Sequence, residues 1–303
     1  MVRFPPVTDD LERAAAWWDS HNEHYSSTGA NEWRANWKLH PSVMRNFEVL
    51  LGNQTSGQWL AAQIRDPLPR AMSIGCGTAR FEIELLVQET IEHCDLWDIS
   101  VAALEEAAGN AEQAGVADRV SLHRGDALES SERGYDLMIF QDSLHHATDL
   151  EATLGFTRSA LRSGGWVFAE EYIGPSRFAF PPHDVDLAQR LYRMLADDLR
   201  CQWPELPLPD PAAVAEADPT EAVESDRILE SLSEFGECRT VLFGGALPYI
   251  LWHGLDHDAL WDTQRGQELV DVLLDLDRAL TESQMLPSYF GVILARDPSH
   301  PGR

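Results

Sequence analysis

The stretch RAMSIGCGTARFEIELL sets Gly75 and Gly77 between a short apolar run and an amphipathic one. Glycine reaches backbone angles that other residues resist, and it lets a ligand come close to the main chain. A dinucleotide fingerprint would need a third glycine where Arg80 stands, and no lysine follows as a phosphate-binding loop requires. Two glycines become informative when the later strand ends are added. Asp98 in LWDIS lies about 20 residues beyond Gly77, where a carboxylate accepts hydrogen bonds from ribose hydroxyls. Asp126 in RGDAL follows the third apolar run, in reach of an adenine amino group. The fourth run ends in FQDSLHH and the fifth in EEY. In open α/β sheets ligands bind outside the carboxyl ends of the strands, so this ordered series describes one nucleoside site. His145 and His146 sit on the same rim, and imidazole, titrating near neutrality, suits a general base. The competing reading is that the pair packs against or caps the next helix. Glu170 and Glu171 point to opposite faces of a strand, so at most one faces the pocket, and Glu171 is the catalytic candidate. With no H-E-x-x-H or comparable ligand spacing, no metal site is expected.

The elements that must position these residues fall into three parts. Residues 1–68 read as a helical segment: Thr8 caps a first helix, and Ser42–Leu51 and Gly57–Ile64 form two more. Between them lies the polar, aromatic HNEHYSSTGANEW. From Arg70 to Tyr172 short apolar runs (RAMSIG, CDLWD, RVSLH, YDLMIF, WVFAEEY) alternate with helical candidates at Phe81–Gln88, Val101–Ala114 and Asp149–Leu161. That alternation means βαβ units and a parallel sheet covered on both faces, an α/β fold. Ser163, Gly164 and Gly165 are expected to end the last of these helices as a glycine C-cap. Beyond Tyr172, helices are expected at Val185–Leu199, Glu221–Glu234 and Gln267–Thr281, with strands at CRTVLF and YFGVILAR. Residues 69–303 then form one domain with helical insertions at about 175–235 and 246–286.

The chain has 303 residues, with 23 Lys plus Arg against 50 Asp plus Glu, a formal charge of −27. Such a surface repels a phosphate backbone or an anionic membrane, so neither nucleic acid nor membrane is an expected partner. Lys38 is the only lysine. Cys76, Cys94, Cys201 and Cys238 form neither a C-x-x-C pair nor a regular framework, which points to a reduced, cytoplasmic protein. The opening residues lack the apolar region of a signal peptide, and no apolar run is long enough to span a bilayer.

The ordered set SIGCGTA, LWDIS, GDAL, YDLMIFQDSLHH and LRSGGWVFAEEY resembles the class I S-adenosylmethionine-dependent methyltransferases, over Arg70 to Tyr172. EEYIGPSRF, DPTEAVESDRIL and FGGALPY are similar to a bacterial branch of the same enzymes. The resemblance implies a Rossmann-like, seven-stranded, mostly parallel sheet whose last strand inserts antiparallel, and S-adenosylmethionine as cofactor. It implies that Gly75, Cys76 and Gly77 line the methionine moiety and that Asp98 holds the ribose with Ile99 beside the adenine. Asp126 and Ala127 then contact the adenine, and Gln141 and Asp142 run along the cofactor. The family often carries an acid where this chain has Ser73, so the anchor of the methionine amino group departs from the pattern.

Substrate specificity is expected outside the core sheet. The N-terminal helices, with Trp17, Trp18, Tyr25, Trp33 and Trp37, suit a lid, with Tyr25 the residue chosen to touch the cofactor. Tyr249, Trp252, His253 and His257 in the later insertion, and Arg177 as a carboxylate ligand, are further candidates. The main reading is in-line methyl transfer to an oxygen, nitrogen or carbon atom of a small molecule, in specialised metabolism. Two others stand beside it: non-methyl chemistry such as cyclisation on the same cofactor, and a non-catalytic cofactor-binding protein. A nicotinamide dehydrogenase fits least, given Arg80. The sequence leaves the oligomeric state open.

Overall fold

The computed structural model describes residues 12–16, 18–19 and 34–296. Among these, seven strands form one sheet in the order β3-β2-β1-β4-β5-β7-β6. They are β1 (Leu68–Ile74), β2 (Ile91–Asp98), β3 (Val120–Arg124), β4 (Tyr135–Gln141), β5 (Leu161–Tyr172), β6 (Glu237–Gly245) and β7 (Ser288–Arg296). Strands β1 to β5 pair in parallel, and β7 lies antiparallel between β5 and β6, as the resemblance implies. Alternation along the central strands splits the core in two. Ala71, Leu137 and Ile139 join one buried cluster, while Met72, Met138 and Phe140 join the other. Two covered faces explain why these strands read as unbroken apolar runs.

The chain order reverses between β1 and β4, so the crevice expected of an open parallel sheet opens at their carboxyl ends. The helices follow local sequence signals. Arg80–Val87 follows the glycine turn, Val101–Ala114 is capped by Ser100 and closed by Gly115 at φ +73°, and Leu150–Ala160 is capped by Asp149. Ahead of the sheet, Pro41–Leu50 is capped by His40, and Ser56–Gln63 by a Thr55–Gln58 capping box.

Two expectations are corrected and one helix is added. Ser163–Gly165 do not cap a helix: the helix stops at Ala160, Leu161 is already extended and pairs with Tyr135, and Gly164 (φ +71°) sits within β5. Residues 221–224 are not helical; Ser225–Arg227 make one 3-10 turn and only Ile228–Ser233 is α-helix. The helix Pro211–Ala217, which the proline-rich sequence hid, is capped by Asp210 with proline at its first position, where the missing N–H costs nothing. The Thr8 cap, Trp17, Tyr25 and Trp33 lie outside the described residues.

Candidate active site

Gly75 and Gly77 take φ of +68° and +52° where β1 gives way to the next helix. The turn is tied to the neighbouring strand: the N–H groups of Gly75 and Cys76 both donate to Trp97 O, at 2.8 and 3.0 Å. A Cβ on Gly75 would stand 2.7 Å from Ser143 Cβ, because β1 and β4 converge there. A Cβ on Gly77 would meet nothing within 4 Å. Asp98 closes the corner, accepting from Gly77 N–H at Oδ2 and from Ser100 N–H at Oδ1, both at 2.8 Å. Its burial raises its pKa, against the pull of these backbone donors.

A cavity of about 460 Å³ opens above this turn. Gly75, Cys76, Gly77, Asp98, Ile99, Asp126, Ala127, Gln141 and Asp142 all line it, so the structure brings together every described residue that the resemblance assigned to the cofactor. Asp126 caps a 3-10 turn, its Oδ1 accepting from Leu128 N–H at 2.9 Å. Trp97 Nε1, Gln141 Oε1 and Ser143 Oγ, on three lining residues, are buried without a hydrogen-bond partner among the described residues. Orphaned polar atoms around an open cradle fit a ligand rich in hydrogen-bonding groups, as a nucleoside with an amino acid tail is.

Some residues of this site were not read from the sequence. Asn36 lines the cavity beside Trp18, one of the tryptophans expected in the lid, and the Trp18 ring meets the His146 ring edge-on at 5.3 Å. A buried acid from a neighbouring element does reach Ser73. Glu82, on the helix after the glycine turn, accepts from Ser73 Oγ at 2.6 Å, and burial pushes its carboxyl up to about 7. Lys38 bonds both oxygens of Asp142 at 2.6 Å and lies 3.1 Å from Glu170, which also takes the Ser56 hydroxyl. Burial works against the Lys38 charge, but the two carboxylates outweigh it and its pKa rises. A lone lysine in a chain of charge −27 was the available signal.

The second half of the site lies at the ends of β4 and β5. Glu171, fully buried, accepts from Ser143 and Leu144 N–H at 2.8 and 2.6 Å, and its Oε2 meets His145 Nδ1 at 2.6 Å. His146 lines the cavity with its Nδ1 at 3.2 Å from Thr220 Oγ1. Neither histidine caps the following helix, since Asp149 does. Burial alone would lower the His145 pKa, but the charge and hydrogen bond of Glu171, helped by Glu221 and Asp142, push it up to about 9. Burial and the neighbouring His145 hold His146 well below the usual imidazole value. Neither glutamate of EEY lines the cavity itself: Glu171 lies under the histidines and Glu170 pairs with Lys38. Arg177 is corrected as a substrate ligand: its guanidinium donates to the carbonyls of Asp218, Pro219 and Glu221 at 3.1, 2.6 and 2.8 Å. Beyond Tyr172 the rim continues as an aromatic surface, where half-buried Phe178, Phe180 and Tyr249 pack around Tyr172 and Phe290. Trp252 and Trp37 are buried in the core.

Residues 67–210 match a family model described as a methyltransferase domain. The matched residues 67–210 thus carry a methyltransferase domain within a Rossmann-like sheet, and S-adenosylmethionine is the cofactor of that family. A search of curated proteins finds no match. Among solved structures, the chain is similar to phosphoethanolamine N-methyltransferase 2 of Haemonchus contortus in complex with S-adenosyl-L-methionine: TM-score 0.51, 12% identity, covering 90% of this chain and 61% of that one. It is also similar to the [4+2]-cyclase SpnF, with TM-score 0.51 and 15% identity over 99% of this chain and 100% of that one. A methyltransferase from Geobacter sulfurreducens in complex with S-adenosyl-L-homocysteine matches with TM-score 0.42 and 18% identity, over 82% of this chain and 96% of that one. At these identities the likeness is one of fold. No described helix is long and apolar enough to cross a membrane.

Proposed function

We propose that this protein transfers a methyl group from S-adenosylmethionine to a small molecule, in specialised metabolism. The observation that carries the reading is the single cavity lined by the glycine turn, Asp98, the Asp126 turn and His146. S-adenosylmethionine supplies an electrophilic methyl on a sulfonium: the S–CH3 bond breaks with its electron pair going to sulfur, and a bond to the acceptor forms. Asp98 holds the ribose through lone pairs left over from its two backbone donors. Gly75, Cys76 and Gly77 flank the methionine portion, Ile99, Asp126 and Ala127 the adenine, and Gln141 and Asp142 the length between. His146 and Glu221 receive the reacting atom of the acceptor and any proton it loses, while Glu171 positions His145. Most of the rate enhancement then comes from orientation and exclusion of water, worth about 7–11 kcal/mol when geometry is well fixed.

Residues 1–68 act as the lid over this pocket; Trp18 and Asn36 in the cavity wall and the Lys38–Asp142 ion pair support that assignment, with Tyr25 proposed as a further cofactor contact. The half-buried Phe178, Phe180 and Tyr249 favour an acceptor with a flat or apolar body. The charge of −27 disfavours nucleic acid, and four unpaired cysteines favour the reduced cell interior.

The test is to incubate the protein with methyl-labelled S-adenosylmethionine and, separately, a small-metabolite extract, tRNA and total protein. Label entering the small-molecule fraction with an equal amount of S-adenosylhomocysteine is expected. Label entering RNA or protein contradicts the acceptor class. Conversion of a small molecule without S-adenosylhomocysteine replaces methyl transfer with non-methyl chemistry on the same cofactor.

A further inference from the structure

The two histidines at the end of β4 are held from behind. His145 Nδ1 is taken by Glu171 Oε2 at 2.6 Å, and Glu171 is itself fixed by backbone N–H groups. His146 Nδ1 faces Thr220 Oγ1 at 3.2 Å, and Thr220 is pinned through both its N–H and its hydroxyl to Asp218 Oδ1, at 2.8 and 2.7 Å. Both rings thus present Nε2 forward. What they present it to is Glu221, delivered by the segment 218–221 whose carbonyls Arg177 gathers. His145 Nε2 stands 3.8 Å from Glu221 Oε1 and His146 Nε2 stands 3.8 Å from Glu221 Oε2, both beyond hydrogen-bonding reach. One ligand atom from each of the three residues lies within 4.8 Å of the others. Behind the rings Glu171 and Thr220 are hydrogen-bonded, while Asp218 Oδ2, 3.8 Å from His146 Nδ1, has no hydrogen-bond partner among the described residues; the groups in front converge without bonding one another.

We propose that His145, His146 and Glu221 bind a divalent first-row transition-metal ion, with Glu171 and Thr220 orienting the two imidazoles. A metal-bound histidine usually donates its other ring nitrogen to a carboxylate, carbonyl or similar group, which is the arrangement found here for both rings. Ligands about 2.1 Å from an ion sit about 3.0–3.4 Å apart at octahedral or tetrahedral angles, so the two 3.8 Å imidazole–carboxylate gaps need to close by a few tenths of an ångström, and the widest separation, within 4.8 Å, by up to about 1.5 Å. Two imidazoles and one carboxylate, with no thiolate, suit zinc, iron(II) or cobalt(II) and leave coordination positions open. Two carboxylates, Glu171 and Glu221, face the imidazoles, so the site is charged to hold a cation. The linear spacing rules pointed away from a metal because the third ligand comes from a loop far along the chain.

The role of the ion rests on the methyl-transfer reading, though its binding does not. Because His146 and Thr220 line the cofactor cavity, an open position on the ion faces the space where the acceptor reacts. An acceptor with a hydroxyl, carboxylate or enol oxygen would take that position. The ion would hold the oxygen in line and make its proton easier to lose, in place of the bare imidazole.

The experiment is calorimetric and visible-absorption titration of chelator-treated full-length protein with Co²⁺, alongside titration with S-adenosylhomocysteine. One equivalent of Co²⁺ with ligand-field absorption is expected, weakened about 100-fold or more in His146→Ala and Glu221→Gln, with S-adenosylhomocysteine binding unchanged. Thr220→Val, which removes the hydroxyl that faces His146 Nδ1 and bonds Asp218 Oδ1 but no proposed ligand, should weaken Co²⁺ by about 10-fold; it decides the matter if the other two variants misfold. Absence of stoichiometric Co²⁺ binding, or equal affinity in the variants, overturns the site. If Co²⁺ binds as expected but S-adenosylhomocysteine does not, the metal site stands and the methyl-transfer reading falls.

Discussion

The two halves of this site are built from different materials. The cofactor half is made mostly of backbone: two glycines at positive φ, a turn tied to β2 by N–H groups, and one aspartate that bonds the main chain of its own corner. The proposed acceptor half is made of side chains brought from separate segments, with Glu171 from β5, the histidines from the end of β4, and Thr220 and Glu221 from a loop. A backbone cradle fixes where a constant ligand lies, while a side-chain cluster can change with the acceptor and leave the cradle intact. The two halves should therefore fail separately.

Asp98→Ala should have the largest effect on the first half. Losing a charged partner of two ribose hydroxyls costs about 3 kcal/mol, or about 100-fold in cofactor affinity, read by calorimetry. Glu221→Gln should do the converse. Turnover in the labelled-methyl assay is expected to fall about 100-fold, while affinity for S-adenosylhomocysteine stays within about twofold of wild type. Gly75→Ala attacks the cradle itself. A side chain at φ +68° and against Ser143 should cost roughly 1–3 kcal/mol of stability in urea unfolding.

The smaller effects sharpen the comparison. Glu82 titrates at about 7 in the fold, raised by burial from an ordinary value near 4.5. Its charged form is therefore disfavoured by folding: the native state holds the proton longer than the unfolded chain does. Stability from this group falls as pH rises from about 4.5 through 7 and stays reduced above that. Glu82→Gln should accordingly raise the unfolding free energy by about 1–2 kcal/mol at pH 8 and by much less at pH 5. Urea titrations at both pH values check the sign. Lys38→Met should give the mildest change, a severalfold loss of cofactor affinity, from loosening the N-terminal segment over Asp142 and Glu170.

The same division explains what could be read from the sequence. Gly75, Gly77, Asp98 and Asp126 each stand at the end of their own strand, so local pattern and strand order were enough to group them. The α/β alternation was legible for the same reason, whereas the antiparallel last strand was implied by the family resemblance alone. Glu221 was hidden because DPTEAVESDRIL reads as the start of a helix; in the fold Asp218 and Arg177 hold residues 218–221 as a loop. Glu82 was hidden by its place on the buried side of a helix, where nothing in sequence links it to Ser73. Both are contacts between elements, and periodicity within one element carries no record of them.

The most direct test is to titrate wild type, Asp98→Ala and Glu221→Gln in parallel with S-adenosylhomocysteine, with NAD as the control ligand. We expect micromolar binding in wild type and Glu221→Gln, loss of about 100-fold in Asp98→Ala, and no response to NAD. Binding that survives in Asp98→Ala, or that collapses equally in a folded Glu221→Gln protein, would contradict a site made of two separable halves.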